Sequence, residues 1–469
     1  MPQPSPSHPV QPLAPSPGDE RRRRFPASKG AMAGGLAAIV LLAAGGIWFA
    51  TRDGGDGGKD VPEARMLYTV PEPKVSSTED LVSVAGMWTT DRNFVKSGFR
   101  KVVGYPLAGG PAQWEIPLSG EICRAWPHLT EDERTAIVFK GPGKDADCTR
   151  VGLLDLRAHK LLWQREVVAW DGHAQSFSGV TISGDTVAAG GEFQDGAAWT
   201  LDGRPLWRPN GDSDCQDVGY AGGDKLIAVT ECGDGDNPPM HVRTLDPRTG
   251  EAKSTYQLPP GTGYAQVVST DPLVVRTQPN GDPDGWRAAF LAIDDSAAQG
   301  KLRSRFRASS DEYESDCELT EGCQQIVVDP STDRLFLATA QNYEETEDGT
   351  DNEVVAFSLK TGKPTDRIPD APRDEFHLLG LDKDGALLAY QPFQLFGESG
   401  GVWRIDPRTH AVTQLLRSNS EIGKVELAFV LDGQYRYAAG RMYLGQTEIT
   451  APDPLISREL SLAAVFGKA

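Results

Sequence analysis

The sequence predicts an all-β fold, a β-propeller of four-stranded blades preceded by one transmembrane helix. Three observations predict it. First, one pattern recurs along most of the 469-residue chain: an apolar run ends in an acidic or small residue, turns tightly, and leaves on a second apolar run. Clear copies are Val151–Asp155 leading to Trp163, Ala197–Asp202 leading to Trp207, His241–Gly250, Ala289–Asp294, Val354–Gly362 and Gly401–Thr409. A degenerate first copy, Val102–Pro106, leads to Trp114. The anchor positions 106, 155, 202, 246, 294, 358 and 406 lie 49, 47, 44, 48, 64 and 48 residues apart. Strand-rich units at a period of ~40–50 residues are the signature of a propeller. Second, the apolar runs are joined by hairpin-turn residues, as at Ser183–Asp185, Gly222–Asp224 and Asp382–Gly385. Third, Ala31–Ala50 runs twenty residues without a charge, the length a helix needs to cross a bilayer.

Residues 1–18 hold seven prolines and no Asp, Glu, Lys or Arg. With Arg21–Arg24 and Lys29, residues 1–30 read as a disordered, Pro-rich basic tail. Five basic groups against two acidic ones place that tail in the cytoplasm by the positive-inside rule. Residues 31–50 are the signal-anchor helix, with Trp48 and Phe49 at the interface. Residues 51–65, rich in Gly and Asp, form a flexible linker, and residues 66–469 are the propeller, placed outside the cell membrane. Two other readings of the segment are a cleaved signal peptide and a twin-arginine signal at Arg22–Phe25. The long apolar run, Pro26, and the lack of a clear small-x-small site following Trp48 or of a lipobox cysteine favour the anchor.

Each unit reads as four antiparallel strands alternating apolar and polar residues. In the fourth unit these are Cys215–Tyr220, Lys225–Glu231, Met240–Leu245 and Ala252–Leu258; in the seventh, Glu375–Leu381, Ala386–Tyr390, Val402–Ile405 and Ala411–Leu416. Seven such units are followed by three further strands, Tyr435–Ala439, Arg441–Gln446 and Glu459–Phe466. Met66–Val70 supplies a fourth if the ring is sealed with strands from both chain ends, which removes two exposed sheet edges. Eight blades are therefore favoured; the count is seven if the C-terminal strands complete the first blade instead.

The whole chain carries −19, and residues 51–469 carry −22 once the +3 of residues 1–30 is removed. Such a charge repels nucleic acid and anionic headgroups, and it also keeps a large surface soluble. Six cysteines lie beyond the apolar segment, an even number that in an exported domain implies disulfides. The repeat phase pairs them locally. Cys215 opens a first strand and Cys232 ends the second, so they face each other across a hairpin. Cys123 lies on a first strand and Cys148 ahead of the third of one blade; Cys317 and Cys323 close a small loop before a first strand. These spacings do not converge four thiolates on a metal.

Zinc-hydrolase and phosphate-loop patterns are absent from the sequence. The seven histidines are scattered, with no H-x-H or H-E-x-x-H spacing, and no phosphate-binding G-x-x-x-x-G-K loop occurs. Asp282–Gly285 and Asp234–Asn237 offer carboxylates, but at spacings more typical of plain turns than of a calcium loop. Trp114, Trp163 and Trp207 recur at the outer-strand position, where blade-to-blade packing accounts for them. Two acidic insertions, 309–322 and Asn342–Glu353, lengthen the sixth unit and are expected to project from one rim of the ring as a partner or cation site, or as solvated excursions.

The unit V-x-x-L-D-x-x-T-G-x-x-x-W, best carried by Val242–Gly250, Val354–Gly362 and Val151–Trp163, resembles the pyrroloquinoline-quinone-like (PQQ-like) propeller repeat over about residues 75–469. That family includes quinoprotein alcohol dehydrogenases and the outer-membrane assembly factor B. The layout is similar to that of membrane-anchored PQQ-like propellers of high-GC Gram-positive bacteria. The family's chemistry does not map onto this chain: no two cysteines are adjacent, no calcium set of Glu, Asn and Asp with a catalytic Asp can be placed, and no lipidation cysteine occurs. The resemblance therefore implies fold more than activity. The expectation is a membrane-anchored extracellular propeller that binds a protein or cell-envelope ligand without catalysis, cofactor or metal of its own. The alternative is a quinoprotein-type oxidoreductase with a degenerate PQQ site.

Overall fold

Eight four-stranded antiparallel sheets follow one another along the chain in the computed structural model. It describes residues 61–468 apart from 76–80, 144–145, 169–171, 192–193, 210–212, 234, 236, 283–284, 316, 318–319, 341–352, 369–375, 394–399, 430–432 and 451–459. The tail and apolar segment of residues 1–50, with most of the linker, lie outside the described residues. Among the described residues no helix is long and apolar enough to cross a membrane.

The inner strands of blades 1 to 8 are Met87–Thr89, Ile122–Ala125, Gly179–Ser183, Cys215–Ala221, Thr262–Thr270, Val327–Asp329, His377–Leu381 and Gly433–Ala438. Blade 4 has the strands expected from the sequence to within a residue, Cys215–Ala221, Leu226–Cys232, Met240–Leu245 and Ala252–Gln257. The alternation expected of every strand holds mainly in the outer strands, such as Lys301–Arg307. Second strands are different: every residue of Asn93–Gly98 and of Thr186–Gly191 is buried. Each second strand has a neighbouring blade on both faces, so both faces need apolar or small residues.

The ring closes on itself in blade 8. Its strands Gly433–Ala438, Arg441–Gln446 and Ser461–Gly467 come from the C-terminus, and the outer strand, Arg65–Pro71, comes from the N-terminus. Met66 pairs with Phe466, Tyr68 with Val465 and Val70 with Ala463. The sequence-based expectation for Met66–Val70 is therefore met, and the count is eight. Two further ties hold the N-terminal segment: Ala64 N donates to Arg417 O at 2.8 Å on blade 7, and Val82–Ser83 pairs with Glu448–Ile449.

Recurrent tryptophans join blade to blade. Trp114 stacks on His159 at the third-to-fourth-strand turn of blade 2, with ring centroids 4.7 Å apart. Trp163 Nε1 donates to Leu201 O of blade 3 at 2.9 Å. Trp207 packs on Gly250 of blade 4, which has a φ of +75° and where an added Cβ would lie 3.1 Å from the ring. All three rings thus dock on the next blade's turn, as the repeat phase implied.

Candidate functional site

Where the inner strands end, the ring encloses a cavity of about 1120 Å³ on its axis. Inner-strand residues of blades 1, 2, 4, 5, 6, 7 and 8 line it. The wall is polar for a propeller core because the strand ends and their turns face it: Arg124 and His128 from blade 2, Ser269 from blade 5, and Gln434 and Arg436 from blade 8.

The disulfide-closed loop ahead of blade 6 also enters this space. Thr320 lies against Gly219 of blade 4, and its carbonyl accepts from Val267 N of blade 5 at 2.7 Å. Glu321 Oε1 accepts from Trp126 Nε1 of blade 2 at 3.2 Å and from Gly222 N of blade 4 at 3.4 Å. The end of the 309–322 insertion therefore points into the channel, a correction to the expectation that it projects from the rim. The bridge-closed turn and the short inner strand that follows, Val327–Asp329, allow this path. The Asn342–Glu353 insertion lies outside the described residues except for Glu353, which pairs with Arg367. Asp234, Asp236 and Asp284 of the two acidic turns are also outside them, while Asp282 caps its own turn by accepting from Arg287 N at 2.8 Å.

All six cysteines are paired as the sequence predicts: Cys123–Cys148, Cys215–Cys232 and Cys317–Cys323. Cys215 and Cys232 are register partners in their hairpin. The first and third bridges each have a cysteine beside the cavity: Cys123 precedes Arg124, and Cys323 lines the wall.

Burial controls the charges here. It pushes the Glu321 carboxyl up to about 7, with the surrounding hydrogen bonds offsetting only part of the effect. His128 is held below the usual histidine range by burial and by the Arg436 charge, so it is neutral at pH 7. Burial alone takes His377 down to about 4. The Arg436 guanidinium donates to Pro127 O at 2.8 Å and that of Arg124 to Cys123 O at 3.0 Å. Neither meets a carboxylate within ion-pair distance among the described residues. Sequence reasoning missed Arg124, Trp126, Glu321 and Arg436. A signal was present for three of them: Arg124 and Arg436 interrupt apolar or aromatic first-strand runs, and Glu321 sits inside a short Cys–Cys loop.

An eight-bladed β-propeller with a ligand-sized axial cavity is the class these features define. No protein-family model matches the chain, and no curated protein sequence matches it. Among solved structures it is similar to the computationally designed Ika8 protein, at 12% identity and a TM-score of 0.48 over 86% of this chain and 99% of that one. It is also similar to the dihydro-heme d1 dehydrogenase NirN, at 14% identity and a TM-score of 0.44, covering 84% and 86% of the two chains. The β-propeller domain of Cps50 (Swd1) from Myceliophteria thermophila matches at 11% identity and a TM-score of 0.41, covering 68% and 95%.

Proposed function

We propose that this chain is a membrane-held binding ring displayed on the outer face of the cell, built from PQQ-like repeats and without catalysis of its own. The axial cavity carries this reading. At about 1120 Å³ it is slightly larger than the ~300–1,000 Å³ of small-ligand sites, and its wall combines hydrogen-bonding groups from seven blades on a rigid scaffold. The ligand is a cell-envelope component or a segment of a protein partner. The location is supported by the uncharged run 31–50, the basic cluster ahead of it, and the pairing of all six cysteines. The net −22 of residues 51–469 argues against nucleic acid as a partner.

The ring, residues 61–469, exposed to an envelope extract and examined by native mass spectrometry, should retain a ligand. Gln434→Trp, which fills the cavity from its wall, should lose it. Equal retention by both proteins, or none by either, would overturn the cavity as the site. The quinoprotein reading predicts instead that pyrroloquinoline quinone with calcium confers dye-linked alcohol oxidation.

A further inference from the structure

A cation lies against one of the three disulfides. The register of blade 4 sets Arg243 opposite Ala228, on the sheet face that also carries Thr230, Asp217 and both cysteines of the Cys215–Cys232 bridge. Ala228 is small, so the arginine side chain runs along that face. Its Nη2 reaches Cys215 Sγ at 3.1 Å and Cys232 Sγ at 3.4 Å. Asp217, whose carboxyl feels the Arg243 charge, accepts instead from the Tyr220 hydroxyl. A guanidinium gains little from a neutral disulfide sulfur and much from an anion. Its placement on both sulfurs therefore favours the state in which one of them is a thiolate.

The other bridges are set differently. Cys123 is 8% exposed and packs with Cys148 in the core between blades 2 and 3, and Arg124 beside it donates to the Cys123 carbonyl. Cys215 and Cys232 are half-buried, with Asp214, Gln216 and Gly233 exposed around them. A reagent in solvent can thus approach the bridge that carries the cation.

We infer that Cys215–Cys232 is a thiol-exchange site, a bridge that opens to an external thiol ahead of the other two because Arg243 stabilises the thiolate that leaves. The incoming thiolate bonds to one cysteine sulfur as the Cys–Cys bond breaks, and the electron pair departs on the other sulfur, which faces Arg243. A second reductant thiolate attacks the mixed disulfide and frees the first cysteine. The two cysteines gain two electrons, and two protons from the reductant's thiols, and the reductant leaves as its own disulfide. A lower pKa on the leaving thiol speeds the first step and favours the reduced form. The register pairs from Gln216–Glu231 to Ala221–Ile227 hold the hairpin without the bridge, so the blade stays folded when it opens.

The test is graded reduction of the full, folded chain with dithiothreitol, trapped with iodoacetamide and read by peptide mass spectrometry. Cys215 and Cys232 should be alkylated first, about fivefold or more faster than the other two pairs, while tryptophan fluorescence stays native. Arg243→Gln should slow their opening by about fivefold or more, and Arg243→Lys, which keeps the charge, should recover most of the rate. Should Arg243→Gln lose native fluorescence, the order of opening in the unaltered protein decides the site and Arg243→Lys decides the role of the charge. Simultaneous opening of all three bridges, or opening of Cys215–Cys232 last, would overturn the inference. So would a folded Arg243→Gln that opens as fast as the unaltered chain.

Discussion

Trp126 Nε1 donates to Glu321 Oε1 at 3.2 Å, joining residues 195 apart in sequence across the axis of the ring. The bond ties blade 2 to the loop ahead of blade 6. It puts a buried carboxyl beside the axial cavity, which seven blades line.

Glu321 should make stability fall as pH rises. Burial raises its folded pKa to about 7 against an ordinary value of 4.5, so between those values the folded state binds more protons than the unfolded one. Its contribution is fully present below about pH 4.5 and is lost as pH rises through 7. Glu426 behaves alike. It is 2% exposed, is also raised to about 7 by burial, and accepts from Tyr390 Oη at 2.7 Å, Phe393 N at 3.0 Å and Ser418 Oγ at 3.3 Å. Urea unfolding at pH 5 and pH 8 should show Glu321→Gln and Glu426→Gln each removing roughly 1–3 kcal/mol of the difference. An unchanged pH slope in both variants would contradict the burial of these groups.

Lys96 should act in the next window with the opposite slope. It is fully buried on the second strand of blade 1, where its ammonium donates to Val84 O and, at 3.3 Å, to Gly86 O, and burial lowers its pKa to about 7. Between about 7 and 10.5 the unfolded chain binds the extra proton, so stability rises with pH there. Lys96→Met should flatten that rise. It should leave stability at pH 7 equal or higher, since an apolar side chain of similar length replaces a costly buried cation. A loss of several kcal/mol at pH 7 would show that the two carbonyl contacts outweigh desolvation.

Closure by the N-terminal strand predicts a sharp boundary in truncation. A ring beginning at residue 60 should be monomeric and stable. One beginning at residue 76 loses Met66, Tyr68 and Val70 from the edge of Ser461–Gly467 and exposes a strand whose Leu462–Phe466 is apolar. Losing those three contacts costs roughly 5 kcal/mol on burial grounds. The shorter ring should melt lower and self-associate in sedimentation. Equal melting and equal mass would contradict the pairing of Arg65–Pro71 with Ser461–Gly467.

The parts legible in the sequence were those that repeat. Strand positions, turn residues, the docking of Trp163 and Trp207, and all three disulfides followed from one phase, because each blade must solve the same packing problem. The outer strand of blade 8 was legible because an open ring leaves two edges that need covering. The site was not legible. Arg124 and Arg436 are far apart in sequence and meet one void only after the ring closes. Glu321 belongs to an insertion, and nothing local distinguishes a loop that turns into the channel from one that hangs off the rim. Its direction is set by contacts with Gly219, Gly222 and Val267, which lie on other blades. The strict alternation expected of every strand failed in the second strands because neighbouring blades bury both of their faces.

We propose that the ring is displayed outside the cell membrane while residues 1–30 stay within. Protease added to intact cells tests it most directly, with antibodies to the N-terminal tail and to the ring as readout. The linker at 51–65 should be cut, the ring should be released as a folded, disulfide-bonded piece, and the tail should survive in a small membrane-bound fragment. A ring that resists protease until the cells are lysed would contradict it, and so would a ring found soluble in the medium with its N-terminus near residue 51 before any protease is added.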